Sequence, residues 1–247
     1  MASLHTRGGE VSEGLADIGG EKEVGGGGVG GGEEITSWRE RIAESIAKSR
    51  KVRGGNFVQI ATVDGSGLPR CRTVVFRGFL DDLYFREEQT GAPMKMITDE
   101  RSEKVKEARL NPGCEMVYWF GKTSEQYRIF GDLMFVGGGG SSGGDADTTS
   151  NEERERQFQI ARKSQWGNLS DNAREQFYWS NPGQPYSGSG EAPPPGGRDS
   201  EGKVLPVPDT FLLVLLWPKE VKYLRLTDNF AQIDKLEEGW TACRVNP

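Results

Sequence analysis

The segment RTVVFRG, Arg72 to Gly78, sets two guanidinium groups at the ends of a short apolar stretch. In an extended chain alternate side chains share a face, so Arg72, Val74 and Phe76 point one way and Thr73, Val75 and Arg77 the other. Further along, TDERSEK, Thr98 to Lys104, leads into a helical pattern. The start of a helix offers unpaired N–H groups and the positive end of its dipole to an anion, and here Ser102 adds a hydroxyl and Lys104 a full charge. Alone, the arginines read as solvated strand ends and TDERSEK as charged surface. Their combination in this order favours a functional reading, with the helix start offered to an anion, and each charge-assisted hydrogen bond to such an anion contributes roughly 1.5–3 kcal/mol.

Other chemistry is poorly supported. Gly25 to Gly30 fits G-x-G-x-x-G, but no strand precedes it and no helix follows. Gly139-Gly140-Ser141-Ser142-Gly143 fits G-x-S-x-G inside a glycine-rich tract with no base beside it. The one histidine, His5, lies in a stretch without large apolar residues, which argues against His-dependent triads and histidine-ligated metals. Cys71, Cys114 and Cys243 are too scattered for a zinc site and odd in number, which suits reduced thiols.

The elements that must position the arginines and the helix start follow from pattern. Residues 1–34 contain almost nothing to bury and end in a glycine tract, so they are expected to be a disordered tail. A capping box at Ser37-Trp38-Arg39-Glu40 opens a helix to about Arg50, with Trp38, Ile42 and Ile46 on one face. Strands are expected at 57–63, 70–78, 83–85, 114–120, 126–136, 211–217, 221–226 and 240–245. Helices are expected at 102–110, 152–163 and 170–179. Residues 137–150 read as a flexible insertion and 181–208 as a Pro/Gly-rich loop, which leaves one domain spanning 35–247. Many short strands with helices confined to the connections describe a mainly antiparallel barrel with peripheral helices, in the α+β class.

A net charge of −6 and the lack of a basic run argue against a nucleic-acid partner. The longest apolar run, FLLVLLW, is far short of the roughly 20 residues that span a bilayer. The N-terminus has no apolar signal core and is too acidic for a transit peptide, so the cytoplasm is the expected location.

With these residues in view, the chain resembles the pyridoxamine 5'-phosphate oxidase-like, FMN-binding split-barrel superfamily, through the strand RTVVFRGF and the helix start TDxRSxK. The resemblance implies an FMN-dependent oxidoreductase and a homodimer with FMN at the subunit interface. It implies that Arg72, Thr73, Val74, Val75, Phe76 and Arg77 line the flavin, that Ile97 and Thr98 contact it, that Lys104 and Ser102 bind its phosphate, and that Gln126 meets the polar edge of the ring. Arg77, which stands where the oxidases have a lysine, would face the substrate, a phosphorylated form of vitamin B6, with Arg162 and Ser164. Two departures stand out: Glu103 replaces a phosphate-binding arginine, and Leu224 to Asn229 replaces a segment carrying a tryptophan and an Arg-Leu-His sequence. The substrate half therefore leaves open an FMN-binding module without vitamin turnover, or a flavin reductase-like enzyme with a nicotinamide donor.

Overall fold

The apolar run at Phe211 does not stop at Trp217. It continues through Pro218 as one fifteen-residue strand, Phe211–Arg225, so the two strands expected here are one. The computed structural model describes residues 35–80, 93–137, 148–186 and 192–247, all within the compact unit Ile35–Pro247. The tail, the expected strand at 83–85, His5, the G-x-G-x-x-G tract and Gly139 to Gly143 lie outside the described residues.

The elements run α1 (Trp38–Ser49), β1 (Phe57–Val63), β2 (Pro69–Val75), β3 (Met94–Asp99), α2 (Glu103–Leu110), β4 (Gly113–Phe120), β5 (Glu125–Val136), α3 (Thr148–Gly167), α4 (Asp171–Glu175), β6 (Phe211–Arg225), β7 (Phe230–Leu236) and β8 (Trp240–Val245). All pairings are antiparallel in the order β2-β1-β4-β5-β6-β7-β8, with β3 added to β6. This is the expected mainly antiparallel split barrel with peripheral helices. β3 and β7 were not foreseen. α3 starts inside the stretch expected as a linker, and the 181–208 loop contains a 3-10 turn, Pro195–Gly197, and a bridge between Arg198 and Val204.

β6 pairs with β5 from Leu213 to Arg225, with β3 through Phe211–Leu216 and with β7 through Glu220–Arg225. Between these halves the register shifts, because Phe130 pairs with Glu220 and Gly131 with Pro218. The extra residue, Lys219, makes a bulge, and the absent N–H of Pro218 places the irregularity where a ladder donor is missing.

β2 ends at Val75 rather than Gly78 because the chain changes partner there. Phe76 N donates to Asn56 O beside β1, whereas Arg77 N donates to Lys95 O and Lys95 N to Gly78 O, at the start of β3. Gly78 makes the crossing at φ 93°, a conformation that disfavours side chains.

The core lies between α1 and the inner face of the barrel, where Trp38 and Ile42 join Val58, Ile60, Met116, Tyr118 and Ile129. The helix is also pinned by buried polar groups: Trp38 N donates to Asp234 Oδ1 at 3.1 Å, and the Ser45 and Tyr223 hydroxyls donate to the Glu125 carboxylate at 2.9 and 2.7 Å.

A Cβ at Gly131 would lie 2.0 Å from Trp217 O and 2.7 Å from its carbonyl carbon. Because backbone would have to move at the bulge, Gly131→Ala should destabilise the protein by about 1–3 kcal/mol or more. A lowered urea midpoint with unchanged slope would show it; an unchanged midpoint would mean that the bulge is not close-packed.

Candidate functional site

The end of β3, the start of α2 and the middle of β2 meet at one edge of the barrel. The β3–β6 register sets Thr98 opposite Leu212 and Asp99 opposite Phe211, and Glu100 N donates to Thr210 O as the strand ends. Asp99 then holds the turn, accepting from Arg101 N at 2.8 Å and pairing with the Arg101 guanidinium at 2.7 Å. Arg101 also donates to the carbonyls of Trp179 and Phe177, so the segment after α4 backs this turn.

Ser102 caps α2 by position but not by its side chain. Its hydroxyl donates to Asp99 O at 2.7 Å and lies 3.2 Å from Thr98 Oγ1. The first N–H groups of α2 consequently have no side-chain cap, which leaves the positive end of the helix available to an anion. Lys104 Nζ donates to Thr98 Oγ1 at 3.0 Å. Burial, followed by the nearby Arg72 charge, pulls the Lys104 ammonium below its ordinary pKa, while Asp99, Glu107 and Glu103 act in the opposite direction.

Arg72 comes to the same place from β2. Paired with Ile60 of β1, it lies on the inner face, where Val74 also packs against the core. Nη1 donates to Thr62 Oγ1 at 2.5 Å and Arg70 O at 3.0 Å, and Nη2 donates to Glu107 Oε2 at 2.6 Å. Glu107, 7 % exposed, also accepts from Thr62 at 2.5 Å. Burial pushes its carboxyl up, but the Thr62 and Arg72 contacts outweigh burial and hold it below its ordinary pKa. The sequence reading missed Glu107 and Thr62. The spacing of three residues from Lys104 to Glu107 on a helix was a usable signal; the place of Thr62 follows only from the β1–β2 register.

The remaining candidates are distributed around this cluster. Thr73 and Val75 lie on the outer face of the sheet, as does Gln126, which pairs with Trp119 and Leu224. Arg77 keeps a buried Nε without a hydrogen-bond partner among the described residues, and burial lowers its pKa. Ile97 is partly buried in β3. Arg162 donates through Nε to Phe211 O at 2.9 Å and through Nη2 to Pro208 O at 2.8 Å, clamping α3 to the start of β6, and Ser164 is exposed on the same helix.

A phosphate dianion fits this arrangement: two cations, an uncapped helix start and two hydroxyls converge. Among known proteins, residues 35–137 match the family model described as "Pyridoxamine 5'-phosphate oxidase, FMN-binding domain". A pyridoxamine 5'-phosphate oxidase-related, FMN-binding protein from Nostoc punctiforme superposes with a TM-score of 0.67 at 30 % identity, covering 87 % of this chain and 100 % of that one. The chain belongs to the pyridoxamine 5'-phosphate oxidase-related, FMN-binding family. It is also similar to pyridoxine/pyridoxamine 5'-phosphate oxidase 2 of Arabidopsis thaliana, 29 % identical over 87 % of this chain and 100 % of the relative. PhzG from Burkholderia lata shares the fold, with a TM-score of 0.60 at 15 % identity over 85 % of this chain and 90 % of that one.

The family's cofactor, FMN, carries the phosphate that the cluster fits. Arg77 Nε, without a partner among the described residues, is a further donor suited to a polar ligand at the β2–β3 crossing.

Arg162 is already committed to two backbone carbonyls, so Arg162→Ala should cost stability, about 1–3 kcal/mol from acceptors left unpaired. Chemical denaturation of the variant checks this; unchanged stability with a large rise in substrate KM would make Arg162 a binding residue instead.

Proposed function

We propose that the protein is a cytoplasmic, homodimeric FMN-dependent oxidoreductase of the pyridoxamine 5'-phosphate oxidase type, acting on a small phosphorylated substrate related to vitamin B6. The observation that carries this reading is the convergence of Arg72, Thr98, Ser102 and Lys104 on the uncapped start of α2. Bound FMN supplies hydride acceptance, leaving the protein to bind, orient and shield.

In this reading Lys104 and Arg72 bind the flavin phosphate, with Ser102 and Thr98 as hydroxyl partners and Ile97 beside them. Thr73 and Val75 line the flavin, whereas Val74 packs against the core and Phe76 is buried in it, and Gln126 both donates to and accepts from the polar edge of the ring. Arg77 faces the substrate. The outer face supports association with a second copy: it exposes Phe57, Trp119 and Phe130 at 52 %, 44 % and 44 %. The described residues contain no helix long and apolar enough to cross a membrane.

The substrate half supports slow turnover of the vitamin. Leu224, at the position of the oxidase tryptophan, lies directly opposite Gln126, so a smaller side chain adjoins the flavin-edge residue. Arg225 is engaged by Asp228 at 2.9 and 2.6 Å across the β6–β7 turn. Contacts with non-reacting parts of a substrate orient its reacting carbon, so their loss reduces turnover as well as affinity.

Purified protein mixed with FMN and desalted should keep the visible flavin bands; a colourless protein would overturn the reading. Lys104→Ala should weaken FMN binding by roughly tenfold, about 1.4 kcal/mol, and leave riboflavin affinity nearly unchanged. Arg72→Ala should have the same ligand selectivity but also lower the melting temperature, because it strands the buried Glu107 carboxylate. Equal losses for both flavins would mean that these residues shape the barrel rather than read phosphate. With saturating FMN, peroxide and pyridoxal 5'-phosphate should form slowly from pyridoxamine 5'-phosphate; robust turnover at micromolar substrate would show an intact vitamin site.

A further inference from the structure

The cations of the phosphate cluster already have an anion among them. Glu107 Oε2 accepts from Arg72 Nη2 at 2.6 Å and from Thr62 Oγ1 at 2.5 Å, and Arg72 Nη1 returns to Thr62 Oγ1 at 2.5 Å, so three side chains close a ring. The Arg70 carbonyl takes the other Nη1 proton at 3.0 Å. Arg72 thereby keeps Nε–H and one Nη2–H without a partner among the described residues, enough to grip a phosphate oxygen pair. The Glu107 side chain is 8 % exposed and that of Arg72 22 %, so solvent screens their attraction only in part.

We propose that Glu107 is the internal counter-anion of the flavin-phosphate site: a positioning residue that balances Arg72 and Lys104 before FMN binds, and shares Arg72 with the phosphate afterwards. This rests on the FMN reading above. The charge count requires some such device. Two partly buried cations within each other's field oppose folding, and Glu107 offsets one of them. The same carboxylate must then stand beside the incoming phosphate and repel it. Glu107 therefore trades phosphate affinity for stability of the flavin-free protein. A residue that only held the fold together would show no such exchange.

The test is a pair of titrations, FMN and riboflavin, with thermal melts of the full-length protein. Glu107→Gln keeps the shape and an acceptor oxygen but removes the charge. It should melt lower than wild type without flavin yet bind FMN about tenfold more tightly, the order of one charge–charge contact in a partly hydrated site. Riboflavin affinity should stay within about twofold, since riboflavin carries no phosphate charge, and the gain for FMN should shrink as salt is raised. Thr62→Val, which breaks the ring and leaves every charge in place, should lower the melting temperature while keeping the wild-type ratio of FMN to riboflavin affinity. Should Glu107→Gln not fold, the same comparison in a Lys104→Gln background removes the cation excess. There the added Glu107→Gln should tighten FMN binding relative to Lys104→Gln alone. Weaker FMN binding by Glu107→Gln, or equal changes for both flavins, would overturn the proposal. Wild-type protein that bound the two flavins equally would instead overturn the phosphate-site reading beneath it.

Discussion

A strand has two edges, and β6 must satisfy three partners. β5 takes one edge from Leu213 to the end of the strand, so β3 and β7 must divide the other. The division falls at the bulge around Pro218 and Lys219, where the ladder lacks a donor and Gly131 allows the backbones to approach. This seam splits the barrel. It also fixes the site, because the extent of β3 along β6 decides where the chain leaves the sheet. With Asp99 opposite Phe211, β3 ends where β6 begins, and α2 must start at that edge with its first N–H groups exposed. The phosphate cluster is thus a consequence of strand accounting before it is one of side-chain chemistry.

Side-chain chemistry then decides which anion the edge can hold. Arg72 and Lys104 supply positive charge, but Asp99 is neutralised by Arg101, and Glu107 takes one Arg72 donor. Glu103, where the oxidases have an arginine, adds a negative charge close enough to Lys104 to favour its protonated form. The result is a site whose counted charges nearly balance. It relies on donor geometry and the helix start more than on net charge, in a chain whose overall charge is −6.

How much of this was legible depended on whether the signal was local. β1, β4 and β8 were readable because alternation and turn residues sit together in the chain, and Arg72, Ser102 and Lys104 because their motifs are short. β7 was missed for a physical reason. Its buried face carries Gln232 and Asp234, which break the rule of apolar residues inside, and they are tolerated because Asp234 accepts from Trp38 N and Gln232 donates to Thr36 O and Asp234. β3, MKMITD, carries too brief an alternation to stand out, only its end, Thr98 and Asp99, falls in the segment leading into a helix, and its partner lies more than a hundred residues away in β6. Pro218 suggested a break because the sequence does not show that partners on both edges hold the strand together. Glu107 and Thr62 escaped because a carboxylate and a hydroxyl acquire their roles only when the β1–β2 register delivers an arginine to them.

The two halves of the proposed active site rest on different parts of the fold, which explains how one can diverge further than the other. The phosphate half is built from β2, β3 and α2. Apart from Glu103 at the start of α2, the residues that depart from the oxidase pattern lie at the end of β6 and in the turn to β7, with Leu224 beside Gln126 and Arg225 held by Asp228. The two regions meet through β6, whose first half carries β3 and whose second half carries the turn, with the bulge between them. Substitutions that share no partner combine almost additively, so changes in the β6–β7 turn cost the proposed flavin-phosphate contacts little. A change at Arg72 or Glu107, by contrast, reaches Thr62, Lys104 and the start of α2 at once. Changes in the turn can therefore reshape the substrate half with little effect on the ring, while a change within the ring of Thr62, Arg72 and Glu107 alters the stability of the flavin-free protein and its phosphate affinity together.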